Sequence, residues 1–102
     1  MTFRNFTPHT IVINDGRTFA SEGLARVSSE HTAFNSDGVC EVVFGDVTGL
    51  PEPVEGTMYV VSALVAQAAK RSDVVAPATG HPQTVRNEKG HIVSVPGFVR
   101  SA

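Results

Sequence analysis

Six of the eight basic residues in this chain are arginines, and the planar guanidinium fork suits phosphate and carboxylate better than the point charge of lysine does. Three of them, Arg26, Arg71 and Arg86, fall in or beside segments that read as strand, helix end and loop. Solvation of an exposed surface accounts for any one of them alone. Convergence of the three on one small anion is the sharper reading. Ser62 precedes a helical segment, where free backbone amides can assist anion binding. Thr79, Gly80, His81 and Asn87 flank Arg86, offering groups that can read a base edge or a ribose hydroxyl, and Tyr59 or Phe98 could stack on a base. The expected ligand-binding set is Arg26, Ser62, Arg71, Thr79, Arg86 and Asn87, and the expected ligand is a small phosphorylated nucleotide.

Other chemistries find less support. His9, His31, His81 and His91 stand singly, with no H-x-x-x-H or C-x-x-C spacing, so neither a metal site nor any other cofactor is expected. Cys40 lies in a β-branched apolar run and reads as a small hydrophobe. Ser62 lacks the G-x-S-x-G context of a strained nucleophile and is better explained as a helix cap. No G-x-x-x-x-G-K-[ST] or G-x-G-x-x-G occurs, which excludes the common nucleotide-hydrolysing loops. No catalytic residue is assigned. A metal-independent phosphodiesterase using His9 or His81 as general base stays open as an alternative.

A chain of 102 residues makes one domain, residues 1–102, and can bury roughly two-thirds of its unfolded surface. The single cysteine rules out an internal disulfide framework. Residues 1–10 carry no apolar signal-like run, and the longest near-apolar stretch, residues 58–66, is far below the roughly 20 residues of a spanning helix. The expectation is a cytoplasmic protein without membrane contact. The formal net charge of −2 argues against general nucleic-acid binding. The charge is unevenly spread. Residues 1–66 carry eight acids against three arginines, net −5, whereas residues 67–102 carry five bases against two acids, net +3.

The elements that must position these groups are short. Residues 10–13 read as a strand, turning at Asn14-Asp15-Gly16 in type I′ fashion and returning through residues 17–19. Residues 24–28 read as a strand with Ala25 and Val27 on one face, and residues 39–44 as another after the Asn35-Ser36-Asp37-Gly38 turn. Three glycines and two prolines in residues 45–56 indicate an ordered surface loop. Residues 57–61 form an apolar strand, and Ser62 caps a helix expected over residues 63–71. Leu64, Val65 and Ala68 share its buried face, and Lys70 and Arg71 in its last turn complement its dipole. Val74 and Val75 form a brief strand, residues 78–84 a loop, and residues 85–95 a last hairpin through Asn87-Glu88-Lys89-Gly90, with the tail ending the fold. The fold class is α+β, a small, mostly antiparallel domain with one short helix.

Taken together, the opening Asn5-Phe6-Thr7-Pro8-His9, the middle Phe44-Gly45-Asp46-Val47-Thr48-Gly49-Leu50-Pro51-Glu52-Pro53, the segment Gly56-Thr57-Met58-Tyr59-Val60-Val61-Ser62-Ala63-Leu64-Val65-Ala66-Gln67-Ala68, and Arg71 with Asp73 form a recognisable pattern. It resembles a family of small proteins encoded by bacteriophages and bacterial genomes, over most of the chain. The resemblance implies a phage or prophage setting and no particular chemistry. By analogy of setting, small phage proteins without catalytic motifs often counter host defence, and sequestering a cyclic nucleotide signal needs a tight pocket and no reacting group. Such pockets commonly form between subunits, so a homo-oligomer is expected. The competing expectation is a protein-interaction module that inhibits a host protein through the acidic, proline-containing loop of residues 45–56.

Overall fold

The computed structural model describes residues 1–100. Its centre is a four-stranded sheet of β1 (Thr2–Asn5), β6 (Thr57–Val60), β7 (Val74–Pro77) and β10 (Phe98–Val99), in that spatial order. Three two-stranded ribbons surround it: β2 (Ile11–Val12) with β3 (Thr18–Phe19), β4 (Arg26–His31) with β5 (Val42–Thr48), and β8 (Val85–Arg86) with β9 (Ile92–Ser94). The one helix among the described residues, α1, spans Ala63–Ala69. Antiparallel pairings predominate, as an α+β reading requires. The middle of the central sheet is nevertheless parallel, since β6 pairs parallel with both β1 and β7. Residues 61–73, containing α1, supply the crossover that a parallel pair demands.

Both faces of this sheet are covered, which explains why β6 and β7 are nearly continuous apolar runs. Tyr59, Val61, Val74 and Ala76 point to one side, where Phe6, Ala25, Val65 and Ala66 pack on them, with Val27, Val47 and Leu50 at the margin. Met58, Val60 and Val75 point to the other, against Ile11, Ile13 and Val95. There Phe3 stacks on Phe98 at 4.8 Å, and Phe19 meets both rings edge-on at 5.7 to 6.0 Å.

Several elements differ from the sequence reading. The opening residues and the tail, to which the sequence assigns no element, pair as β1 and β10 with the central sheet. Residues 45–48, read as loop, extend β5. A bulge lies there: Val27 faces Val47 and Ser29 faces Phe44, so Gly45 and Asp46 together oppose Ser28. A Cβ at Gly45 would meet the Ser28 hydroxyl, which would have to turn to another rotamer to admit it. The hairpin at Asn14-Asp15-Gly16 is not type I′, because Gly16 alone takes positive φ. Ile13 N–H donates to the Arg17 carbonyl and Gly16 N–H to that of Ile13, a three-residue loop with a left-handed glycine. The same pattern recurs at Asn35 to Val39 and Asn87 to His91, where the leading asparagine Oδ1 also accepts two backbone amides across the turn.

The helix starts as read: Ser62 Oγ accepts from Val65 N–H at 3.3 Å. It ends two residues early, because Lys70 turns left-handed at φ 52° and its N–H closes on the Ala66 carbonyl. Lys70 and Arg71 therefore lie outside the last turn and do not serve the helix dipole there. The buried face is Val65, Ala66 and the half-buried Ala69, while Leu64 is exposed.

Asn5, fully buried at the end of β1, ties these layers together. Its Nδ2 donates to the carbonyls of His9 at 2.7 Å and Phe19 at 2.9 Å. Its Oδ1 accepts from Thr7 N–H at 2.9 Å and Thr7 Oγ1 at 2.6 Å. Both amide protons and both acceptor positions are thus occupied. Asn5→Ala leaves two carbonyls, one amide and one hydroxyl without these partners in the interior. It is expected to lower unfolding free energy by about 3 kcal/mol, measured as a shifted urea midpoint at unchanged slope; a loss within the range of ordinary surface substitutions would refute this role.

Candidate functional site

β1, β6 and β7 run in the same direction, so their carboxyl ends lie on one edge of the sheet. In sheets with parallel strands, that edge is where departing loops leave a crevice. Here the walls are residues 7–10 after β1, Ser62 and Ala63 after β6, and Pro77 at the end of β7 with Thr79 beyond it, and β9 closes the fourth side. They enclose a cavity of about 500 Å³, a volume in the range of small-molecule sites. Its floor and walls are mainly apolar, with Pro8, Ile11, Pro77, Ile92 and Val95 among them.

The polar groups of the cavity divide by what already engages them. Thr7 Oγ1 shares its proton between Asn5 Oδ1 and the His9 carbonyl at 3.0 Å, and Ser94 Oγ donates to Asn14 Oδ1 at 2.6 Å. Those two hydroxyls hold the wall in place. Ser62 Oγ accepts from Val65 N–H, which leaves its own proton to donate. The His9 ring and the hydroxyls of Thr10 and Thr79 make no hydrogen bond among the described residues, so they can meet a bound molecule. Residues 7–9 are thus both the local turn their composition suggests and one wall of the cavity.

The six residues singled out from the sequence separate in space. Ser62 and Thr79 line the strand-end cavity. Arg86 lies beside it: its Nη2 donates to the Thr79 carbonyl at 3.3 Å and its Nη1 to that of Gly90 at 3.1 Å. Asn87 borders Arg86 in a neighbouring shallow depression, but its Oδ1 is committed to the amides of Lys89 and His91. Arg26 opens β4 and is exposed, on the ribbon that packs against α1.

Arg71 lies elsewhere. Its Nε and Nη2 grip both oxygens of Asp73 at 3.0 and 2.7 Å, its Nη1 donates to the Pro51 carbonyl at 3.0 Å, and its guanidinium lies 5.8 Å from the Tyr59 ring centre. Tyr59 OH donates to the Glu52 carbonyl at 3.1 Å. This cluster fastens residues 51–52 to the start of β7. The adjoining depression also contains the carboxylates of Asp46 and Glu52, which repel an anion. The sequence reading named His9 only as a general base of the alternative enzyme and missed Thr10, Pro77 and Ser94 as cavity walls, since only the parallel arrangement of β1, β6 and β7 brings their loops together.

Among the described residues, no group of three or more His, Cys, Asp or Glu side chains is placed to hold a metal ion. No described helix is long and apolar enough to cross a membrane. Compared with protein families, curated proteins and solved structures, the chain matches none.

The hydrogen bonds from Arg71, with its charge, hold the Asp73 carboxyl below its ordinary value of 3.8, against a smaller opposing effect of burial. A carboxylate depressed in the folded state stabilises it above the unfolded pKa, and that contribution is lost as pH falls through the folded value. Asp73→Asn is therefore expected to lower the thermal midpoint at neutral pH and to shrink the further drop on acidification below about pH 4. Parallel midpoint-versus-pH curves for the two proteins would contradict the assignment.

Proposed function

We propose that this protein binds and sequesters a small phosphorylated nucleotide in the strand-end cavity, holding it without chemical change. The observation that carries this reading is the composition of that one cavity. An apolar floor suits a base, the hydroxyls of Thr10, Ser62 and Thr79 and the His9 ring suit ribose and base edges, and Arg86 sits at the rim through its bond to the Thr79 carbonyl. Two of the five guanidinium N–H groups of Arg86 are engaged by carbonyls, which leaves three to meet phosphate oxygens. Ser62, Thr79 and Arg86 belong to this reading, and His9 and Thr10 join them; Arg71 is held by Asp73 and Pro51 and is left out.

The biological setting follows from the resemblance to phage-encoded proteins. The proposed role is capture of a cyclic nucleotide signal of antiviral defence in the cytoplasm of an infected host. No residue in the cavity needs to act as nucleophile for this role, since sequestration requires affinity alone.

The test is incubation of the purified protein with cyclic dinucleotides, cyclic trinucleotides and ADP-ribose-derived signals, followed by separation of free, bound and heat-released ligand. Release of an intact ligand is expected. Arg86→Glu should weaken binding of the phosphorylated ligand by about tenfold or more, the scale of a charge-assisted bond, and leave the protein folded. An altered product lost on replacing His9 would make the protein a phosphodiesterase, and binding to none of the panel would overturn the nucleotide reading.

A further inference from the structure

The β4–β5 ribbon is an arm with too little to cover it. Its base packs on the core through Ala25, Val27 and Val47, but farther out Phe34, Val39, Val42, Val43 and Phe44 are 41 to 72% exposed. The chain measures 50 × 38 × 23 Å with a radius of gyration of 15.5 Å, against about 13 Å for a compact chain of this length. Among the described residues β4 and β5 pair only with each other, so each has a free edge. A two-stranded ribbon is marginal without a further layer, and an exposed apolar ribbon with open edges is a template for association.

Charge selects the occupant. Residues 26–48 carry Glu30, Asp37, Glu41 and Asp46 against Arg26, net −3, so pairing arm to arm opposes like charges. At the other side of the molecule, β8 and β9 form a second two-stranded ribbon with exposed Val85, Ile92 and Val93. Residues 85–94 carry Arg86 and Lys89 against Glu88, net +1. One surface is apolar and acidic and the other apolar and basic; β4, β5 and β8 each leave an edge unpaired among the described residues, while β9 continues through Val95 into backbone bonds with Val12 and Asn14.

We propose that the β4–β5 arm of one copy docks on the β8–β9 ribbon of a second copy of this chain, head to tail. Each copy then offers both surfaces, and the assembly closes into a ring or extends as a filament according to its rotation. Ile92 and Val93 also line the strand-end cavity, so the docked arm lies at its mouth. The inference stands on surface composition and does not require that the cavity bind a nucleotide, and its test is made without ligand.

Sedimentation of the full chain from micromolar to submillimolar concentration should show species at multiples of 10.8 kDa, with a dissociation constant that rises about tenfold from low to high salt. Val43→Asp in the arm and Val85→Asp in the basic ribbon change exposed positions, and each alone should be monomeric with an unchanged circular dichroism spectrum. Mixed, they should form a dimer and nothing larger, because one intact arm still meets one intact ribbon. The reversals Glu41→Lys and Lys89→Glu act through charge only; each should weaken association, and their mixture should regain it. A wild-type chain monomeric at every concentration would overturn the proposal, as would Val85→Asp associating like wild type, or either mixture failing to associate.

Discussion

A buried primary amide must satisfy two donors and an acceptor with two lone pairs, and Asn5 does so with partners drawn from two separate stretches of chain, residues 7–9 and Phe19. That requirement organises the molecule. The Phe19 carbonyl brings in the β2–β3 hairpin, the His9 carbonyl and the Thr7 groups fold the chain back after β1, and the Asn5 carbonyl accepts Glu22 N–H. Ser21 Oγ closes the circuit by donating to the Thr7 carbonyl at 2.7 Å. An interior polar centre costs free energy unless every group is paired, so this one specifies a single path for residues 5–23. No buried side-chain nitrogen or oxygen among the described residues lacks a partner.

The cavity is a consequence of that path combined with sheet direction. β1 and β6 run parallel, so the Asn5-centred turn and the Ser62 cap emerge on the same edge. The crossover through α1 then delivers β7 in the same direction, adding Pro77 and Thr79. On the opposite side, the Arg71–Asp73 fork and the Tyr59 hydroxyl secure residues 51–52 to the body. Arginine there is a structural clamp, each of its three nitrogens bonded to an acceptor. Arg86 differs in being exposed and only partly engaged, so its charge remains directed at solvent beside the cavity.

Local chemistry was legible where neighbours in sequence decide it. The Ser62 cap, the glycine-bearing turns, the inward face of Ala25 and Val27, and the last hairpin all depend on contacts within a few residues. The helix end was misplaced because Arg71 is needed by Asp73 and Pro51, partners that periodicity does not register. The buried helical face was rotated because Val65 and Ala66 answer to Tyr59 and Val74 on the sheet, whereas Leu64 sits beyond their reach. The uninterrupted runs at Met58 to Val61 and Val74 to Ala76 carried a further signal, since such runs mark strands buried on both faces and so suit parallel pairing.

The sequence by itself determined the α+β class, where the chain turns, the helix start and a charge divided between two halves, because composition and short-range hydrogen bonding fix these. Only the tertiary structure decided which strands are parallel, which loops share an edge, and which arginines are already paired. Those outcomes depend on contacts between residues far apart in the chain, such as Asn5 with Phe19, Arg71 with Pro51 and Ser94 with Asn14. Their free energy appears only once the sheet has brought the partners within hydrogen-bonding distance.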